Sequence, residues 1–129
     1  MKLIIAIIRM AKINKTKEAL AASGLPSFMA SGKVQGRGRG RGIGPTYQEI
    51  MESPELRKDF QEAAGGDEPK LKTKRLITLI VTDDKKDLAV ETIINTNKTG
   101  NSGDGKVFVT PVFDSVQIRT GDRGDVVLD

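Results

Sequence analysis

Cysteine, histidine and tryptophan are absent from the 129-residue chain, and aromatic residues make up only 4% of it. Without cysteine there are no disulfides and no thiolate nucleophile, and without histidine no imidazole base; zinc sites built on either residue are excluded as well. Most hydrolase and metalloenzyme chemistries therefore have no residues to run on. Long apolar runs are also missing. The longest, Leu3 to Ile8, has six residues, against roughly 18 for a bilayer span. No small-residue cleavage site follows it, so no membrane insertion and a cytoplasmic location are expected.

What is present suits a globular protein of about one domain, 37% hydrophobic and 29% charged. The net charge of +4 is unevenly spread. Residues 1–44 hold nine Lys or Arg against one acid, Glu18, whereas residues 45–69 hold two bases against seven acids. A basic first third beside an acidic segment points to an anion site next to a stretch able to cover it or reach elsewhere.

Hydrophobic patterning predicts a repeated unit. Lys2 to Arg9 reads as a buried strand, Asn14 as the cap of a helix over Lys15 to Ser23, and Gly24 as its left-handed stop. Phe28 to Gln35 returns as a weaker strand, with Gly32 a bulge or close backbone approach. Arg75 to Thr82 then reads as a second strong strand, Asp83 as the cap of a helix over Asp84 to Asn97, and Thr99-Gly100 as its end. Lys106 to Thr110 and Phe113 to Arg119 form a final extended stretch bent at Pro111. Two strand-helix-strand units in series predict an α+β ferredoxin-like βαββαβ sandwich. Ile4, Ile5, Ile7 and Ile8 leave neither sheet face polar, so self-association is expected to bury the face the helices do not cover.

Between the units lies Gly36 to Thr73, far longer than the roughly 4 to 6 residues of a median loop. Ser53-Pro54-Glu55 reads as the start of a helix within it and Gly65-Gly66 as the stop.

Two glycine-rich turns carry the chemistry. Gly36-Arg37-Gly38-Arg39-Gly40-Arg41-Gly42 alternates permissive backbone with guanidinium groups, so its amides can approach phosphate oxygens while the arginines offer forked donors. It lacks the Gly-Lys-Ser/Thr of a Walker loop. The alternative, an RGG-like nucleic-acid tract, wants interleaved aromatics, and none stands between Phe28 and Tyr47. Thr99-Gly100-Asn101-Ser102-Gly103-Asp104-Gly105-Lys106 is the second turn, where exposed amides and a lysine can cradle a polyphosphate. Gly-Asp-Gly is equally ordinary turn chemistry. Arg119 adds a cation at the close of the last strand, unless it is a salt-bridged surface arginine. The acid pairs Asp83-Asp84 and Asp67-Glu68 read as caps and loop coating rather than catalysts or metal ligands, and Tyr47 as a docking or modification site or a locally packed aromatic.

The opening KLIIAIIR followed by KEALAASG, and the block TGNSGDGKVFVTPV followed by QIRTGD, resemble the PII signal-transduction proteins. The likeness runs over nearly the whole chain, the segment at about 43–72 excepted, and the second block is the more specific. The resemblance implies a single PII-like domain over 1–129, a T-loop insertion at 43–72 and a C-terminal tail at 120–129. It also implies a homotrimer with ATP or ADP in the clefts between neighbours, where 2-oxoglutarate joins Mg-ATP beside the T-loop. By resemblance Gly36, Gly38 and Arg39, the loop residues Gly103, Asp104, Gly105 and Lys106, and Arg119 would contact nucleotide. Lys74, with Gly38, Gly40, Gly42 and Gly103, would meet 2-oxoglutarate. Gly40 stands where the family usually has a glutamine that helps hold magnesium, and Gln117 where a second arginine is usual; both put the ligand geometry in question. Tyr47 falls in the T-loop outside the family's usual modification context.

The long insert, the glycine-arginine tract and the Pro26-Ser27-Phe28 element are most similar to nitrogenase-linked PII-like regulators, in the second, longer-looped subunit. That implies a non-catalytic sensor for nitrogen metabolism and its transcription, as a homotrimer or a mixed assembly with a paralogous subunit. Its target would be nitrogenase, or else an ammonium channel or another nitrogen-metabolism enzyme. The rivals are a small acylphosphatase-like phosphohydrolase and a basic nucleic-acid-binding module.

Overall fold

The computed structural model describes residues 1–36, 51–52, 54 and 71–128. Its frame is a four-stranded antiparallel sheet in the order β2-β3-β1-β4, formed by β1 (Lys2–Arg9), β2 (Met29–Gly36), β3 (Lys72–Val81) and β4 (Gly105–Pro111). The Ile- and Leu-rich strands take the centre, while the strands holding glycine, serine and proline take the edges, where a missing ladder donor costs least. β1 pairs with β3 from Lys2 opposite Val81 to Arg9 opposite Lys74, and with β4 from Lys2 opposite Pro111 to Ile8 opposite Gly105. β2 pairs with β3 from Met29 opposite Thr78 to Gly36 opposite Lys72, with a register shift between Ser31 and Lys33 where Gly32 supplies the expected bulge.

Helices α1 (Ile13–Ala22) and α2 (Lys86–Asn97) complete the βαββαβ order of the ferredoxin-like sandwich. Both pack on one sheet face. Ile4, Ala6 and Ile8 of β1 and Ile77, Leu79 and Val81 of β3 meet Ile13, Leu20, Ala89 and Ile93 of the helices, all at most 8% exposed. Each buried Ile, Leu or Val among them contributes about 1.5–3 kcal/mol. A polar pin crosses this layer: Asn97 Nδ2 donates to Thr16 Oγ1 at 3.0 Å, and Thr16 in turn donates to the Lys12 carbonyl at 2.8 Å.

The alternating residues of the same strands face the other way. Leu3, Ile5, Ile7, Leu76 and Ile80 are only half-buried, and Met29 and Phe108 are 59% and 50% exposed. An apolar face without helical cover is what the doubly hydrophobic β1 predicts.

Neither helix is entered as expected. Asn14 lies exposed inside the first turn of α1, and Asp83 does not cap α2; the N-cap positions fall on Lys12 and Lys85, without side-chain cap bonds. Each helix instead grows out of a 3₁₀ turn, Met10–Lys12 and Asp83–Lys85, whose tighter winding satisfies early amides. Asp83 pairs with the Met1 ammonium and with Lys2, both at 3.1 Å, and these bonds draw its carboxyl below the usual value. The stop of α1 matches its sequence. Gly24 has φ +82°, the Leu25 amide donates to the Leu20 carbonyl and the Gly24 amide to that of Ala21, a Schellman closure with Leu25 buried behind it.

Two further expectations change. Met51 and Glu52 are helical ahead of Ser53, as is Pro54 after it, so helical structure precedes the proline signal; Gly65-Gly66 lies outside the described residues. The extended stretch Phe113 to Arg119 does not form. After Pro111 the Val112 amide donates to the Met1 carbonyl, and the chain then folds into a tight turn. There Val116 bridges Arg123, the Gln117 amide donates to the Asp122 carbonyl at 2.8 Å, and the Gly121 amide to that of Gln117 at 2.7 Å. Gly121 and Gly124, at φ +75° and +84°, make that reversal accessible where a strand would have run on. Val127 and Leu128 then line a groove together with Pro26, Phe28, Met29 and Ile80. Among the described residues no helix is long and apolar enough to cross a membrane.

Candidate functional site

Antiparallel pairing brings Gly36, Lys74, Gly105 and Lys106 of the expected ligand residues to one end of the sheet, together with Arg9 and Lys72. Arg9 ends β1, Lys72 and Lys74 begin β3, Gly36 ends β2, and Gly105 and Lys106 begin β4. Gly36 and Gly105 lie on the two edge strands, separated by three strand spacings, about 14 Å, across the sheet and by three residues, about 10 Å, along it. Arg9 and Lys74, directly paired on the two central strands, stand between them. Gly38, Arg39, Gly40, Gly42 and Tyr47 lie outside the described residues.

The second glycine turn, residues 99–106, is built around Asp104. Its carboxylate accepts from the Thr99 amide at 2.8 Å, the Gly100 amide at 3.0 Å and the Thr99 hydroxyl, while the Asn101 amide donates to Thr99 Oγ1. Burial works to raise the Asp104 pKa, but the Thr99 and Gly100 donors, joined by Arg9, outweigh it and hold the carboxyl at about 2. Asp104, expected among the nucleotide contacts, thus has its charge turned into its own loop.

Gly103 and Gly105 both hold a positive φ, and at Gly105 space requires glycine as well. At Gly105, φ +112°, a Cβ would fall 1.8 Å from the Ile7 carbonyl oxygen, so only glycine lets the turn join β4 against β1. At Gly103, φ +97°, a Cβ would stand 3.3 Å from Arg9 Nη2 and 3.5 Å from Lys74 Nζ. Two cationic groups therefore close on the bare Cα of Gly103. Lys74 Nζ donates to the Gly103 carbonyl at 2.6 Å, and Arg9 Nη2 to the Ser102 carbonyl at 2.9 Å and to Asp104 Oδ1 at 3.3 Å.

The surroundings fit an anion. Cations converge on the half-buried backbone of Gly103, Lys106 stands exposed beside it, and the one carboxylate of the turn is occupied by inward donors. Among the described residues no cluster of three acidic side chains could hold a metal ion.

Arg119 is placed differently from expectation, in the exposed turn of the tail rather than in a strand. β4 separates the glycine turn from the start of that tail by seven residues, about 20 Å of strand. Gln117, where the family usually carries a second arginine, closes the turn: its Oε1 accepts from Thr120 Oγ1 at 2.9 Å. Arg123 is tied to Asp114 at 2.7 Å, and the Arg123 donor holds that carboxyl below its usual pKa. Arg119 is left as the turn's outward cation.

Sequence reasoning passed over Arg9, which reads as the polar end of an apolar strand. The available signal was positional. A basic residue ends the central strand one step beyond Ile8, the partner of Gly105, and so arrives beneath the glycine turn.

Similarity to known proteins is extensive. The family described as "Nitrogen regulatory protein P-II" matches residues 1–122. A Methanobacterium ivanovii protein named "Nitrogen fixation nifHD region GlnB-like protein 2" is 44% identical over 125 residues, 97% of each chain. "Nitrogen regulatory protein P-II 2" of Methanothermobacter thermautotrophicus is 40% identical over 124 residues, 96% of this chain and 94% of that one. "Nitrogen regulatory protein P-II" of Klebsiella oxytoca is 39% identical over 128 residues, 99% and 100% of the two chains.

Proposed function

The chain belongs to the P-II family of nitrogen regulatory proteins, and from that premise we propose that it is a non-catalytic sensor of ATP and ADP whose 43–72 segment contacts a nitrogen-metabolism target. The observation that carries this reading is the convergence of Arg9 and Lys74 on Gly103, with Asp104 turned inward. A polyphosphate placed there would meet free backbone and the Lys106 ammonium within the positive field of Arg9 and Lys74, with the turn's own carboxylate engaged elsewhere.

The tail bears on assembly. Arg119 lies beyond the far end of β4 from the glycine turn, so its use as a phosphate contact requires the turn of a second copy. The uncovered sheet face and the fully exposed Phe113 and Ile118 offer apolar surface for that association. A homotrimer, or a mixed assembly with a paralogous subunit, would supply it. Relatives named for the nifHD region make nitrogenase the favoured target, ahead of an ammonium channel or another nitrogen-metabolism enzyme.

Mg²⁺ and 2-oxoglutarate enter as further ligands, the latter through Lys74, with Gly40 and Gln117 setting this chain apart from the usual family pattern. Switching works through differential affinity: a ligand that binds one state of the 43–72 segment more tightly populates that state. Calorimetry on the assembled protein with Mg-ATP and with ADP, each with and without 2-oxoglutarate, tests the reading. Saturable nucleotide binding is expected, and its absence under every condition would end it.

A further inference from the structure

We propose that Arg9 is the positioning residue of the 99–106 turn, clamping Ser102 and Asp104 so that the glycine backbone is held in the shape that meets an anion. The proposal rests on the reading of that turn as a phosphate cradle and assigns the part that keeps the cradle in form.

Arg9 is 8% exposed at the end of a central strand, and its backbone is fixed by pairing with Lys74. Its Nη2 alone bonds two points of the turn, the Ser102 carbonyl and Asp104 Oδ1. Those contacts span 93 and 95 residues of sequence, so they join the turn to the strand and not merely to itself. Asp104 relays the hold, because its other donors are the amides of Thr99 and Gly100, where the turn leaves α2. The far end of the turn is fixed independently by the approach of Gly105 to the Ile7 carbonyl. Between these anchors the Asn101 amide bonds back to Thr99 Oγ1, which leaves Ser102 and Gly103 to be set. Arg9 takes the carbonyl of Ser102, and Lys74 that of Gly103. A planar guanidinium is suited to this task because it offers several donors in a fixed fork, whereas an ammonium is a mobile point donor.

The test compares the wild type with Arg9→Met, Arg9→Lys, Asp104→Asn and the Arg9→Met/Asp104→Asn double variant, using two readouts. Amide hydrogen exchange follows the turn directly, and calorimetry with ADP follows the site. Arg9→Met is expected to speed exchange of the Thr99 and Gly100 amides at least tenfold while β1 and β3 stay protected, and to raise the ADP Kd at least tenfold. Arg9→Lys should recover part of both. The double variant should be no worse than the more affected single one, because both substitutions break one clamp. Should Arg9→Met fail to fold, Asp104→Asn carries the same two expectations. Unchanged exchange in the turn overturns the proposal. So does lost ADP binding with the turn still protected, since Arg9 would then be touching the ligand rather than shaping the loop. A wild type that binds no nucleotide sinks the cradle reading instead, while exchange alone still decides whether Arg9 holds the turn.

Discussion

The two ends of β4 are finished in opposite ways. The turn that precedes it directs its polar groups inward: Asp104 onto amides, Arg9 onto a carbonyl and a carboxylate, Gly105 against a neighbouring strand. The tail that follows it also closes its backbone bonds, yet leaves Phe113 and Ile118 wholly exposed and Val126 at 80%. The tail thus displays apolar side chains on a turn whose backbone is pinned, the surface on which the proposed association would act. The first end closes its polar groups within the chain, and the second leaves apolar surface that the proposed assembly would cover.

The sharpest way to break this contrast is at the inward end. Gly105→Ala must push a methyl into the Ile7 carbonyl, which neither φ +112° nor the strand pairing lets it avoid. We expect a loss of about 3 kcal/mol or more, seen as a large fall in Tm, together with lost nucleotide binding. Gly121→Ala, in the tail, is the control. Its φ is also positive, +75°, but its added methyl meets nothing within 4 Å, so about 1 kcal/mol of backbone strain is the whole expected cost. Equal effects at the two positions would show that the close approach to Ile7 does not matter.

A second test uses charge. The Asp104 carboxyl lies at about 2 against a reference of 3.8, so the folded state favours the ionised form. Its contribution is present above the reference value and is lost as pH falls from there through about 2. Asp104→Asn should cost on the order of 1 kcal/mol near neutral pH, solvent screening having reduced the electrostatic gain, and wild type and variant should converge in Tm as the pH approaches 2. A constant difference across that range would mean that shape rather than charge holds the turn.

Most of the frame was legible because periodicity reports burial. β1 reads as a strand over the residues it occupies, and the left-handed Gly24 and the bulge at Gly32 follow from local chemistry. The helix starts were misread because Asn14 and Asp83 have the right residue type, while the backbone reaches each helix through a 3₁₀ turn that no side-chain pattern announces. The tail was misread because its valine and isoleucine favour a strand, and glycines at 121 and 124 with tertiary anchoring at Met1 prevail over them. At the site, the glycine turns were visible as composition. The inward role of Asp104 and the clamp of Arg9 were not, because they depend on which strands lie side by side.

The smallest effect on the chain's own stability belongs to the outward end. Phe113 and Ile118 are fully exposed, so replacing both with serine removes nothing from the core and should alter the chain's own packing by no more than about 0.5 kcal/mol. The far-UV circular dichroism spectrum should be unchanged. The mass in sedimentation equilibrium should nonetheless fall, and nucleotide affinity with it if Arg119 serves a neighbour's cradle. Arg119→Ala separates the two effects: it should leave the mass intact and weaken only the nucleotide. If the double serine variant keeps both its mass and its affinity, the exposed side chains of the tail are not contact surface and the contrast between the two ends of β4 loses its meaning.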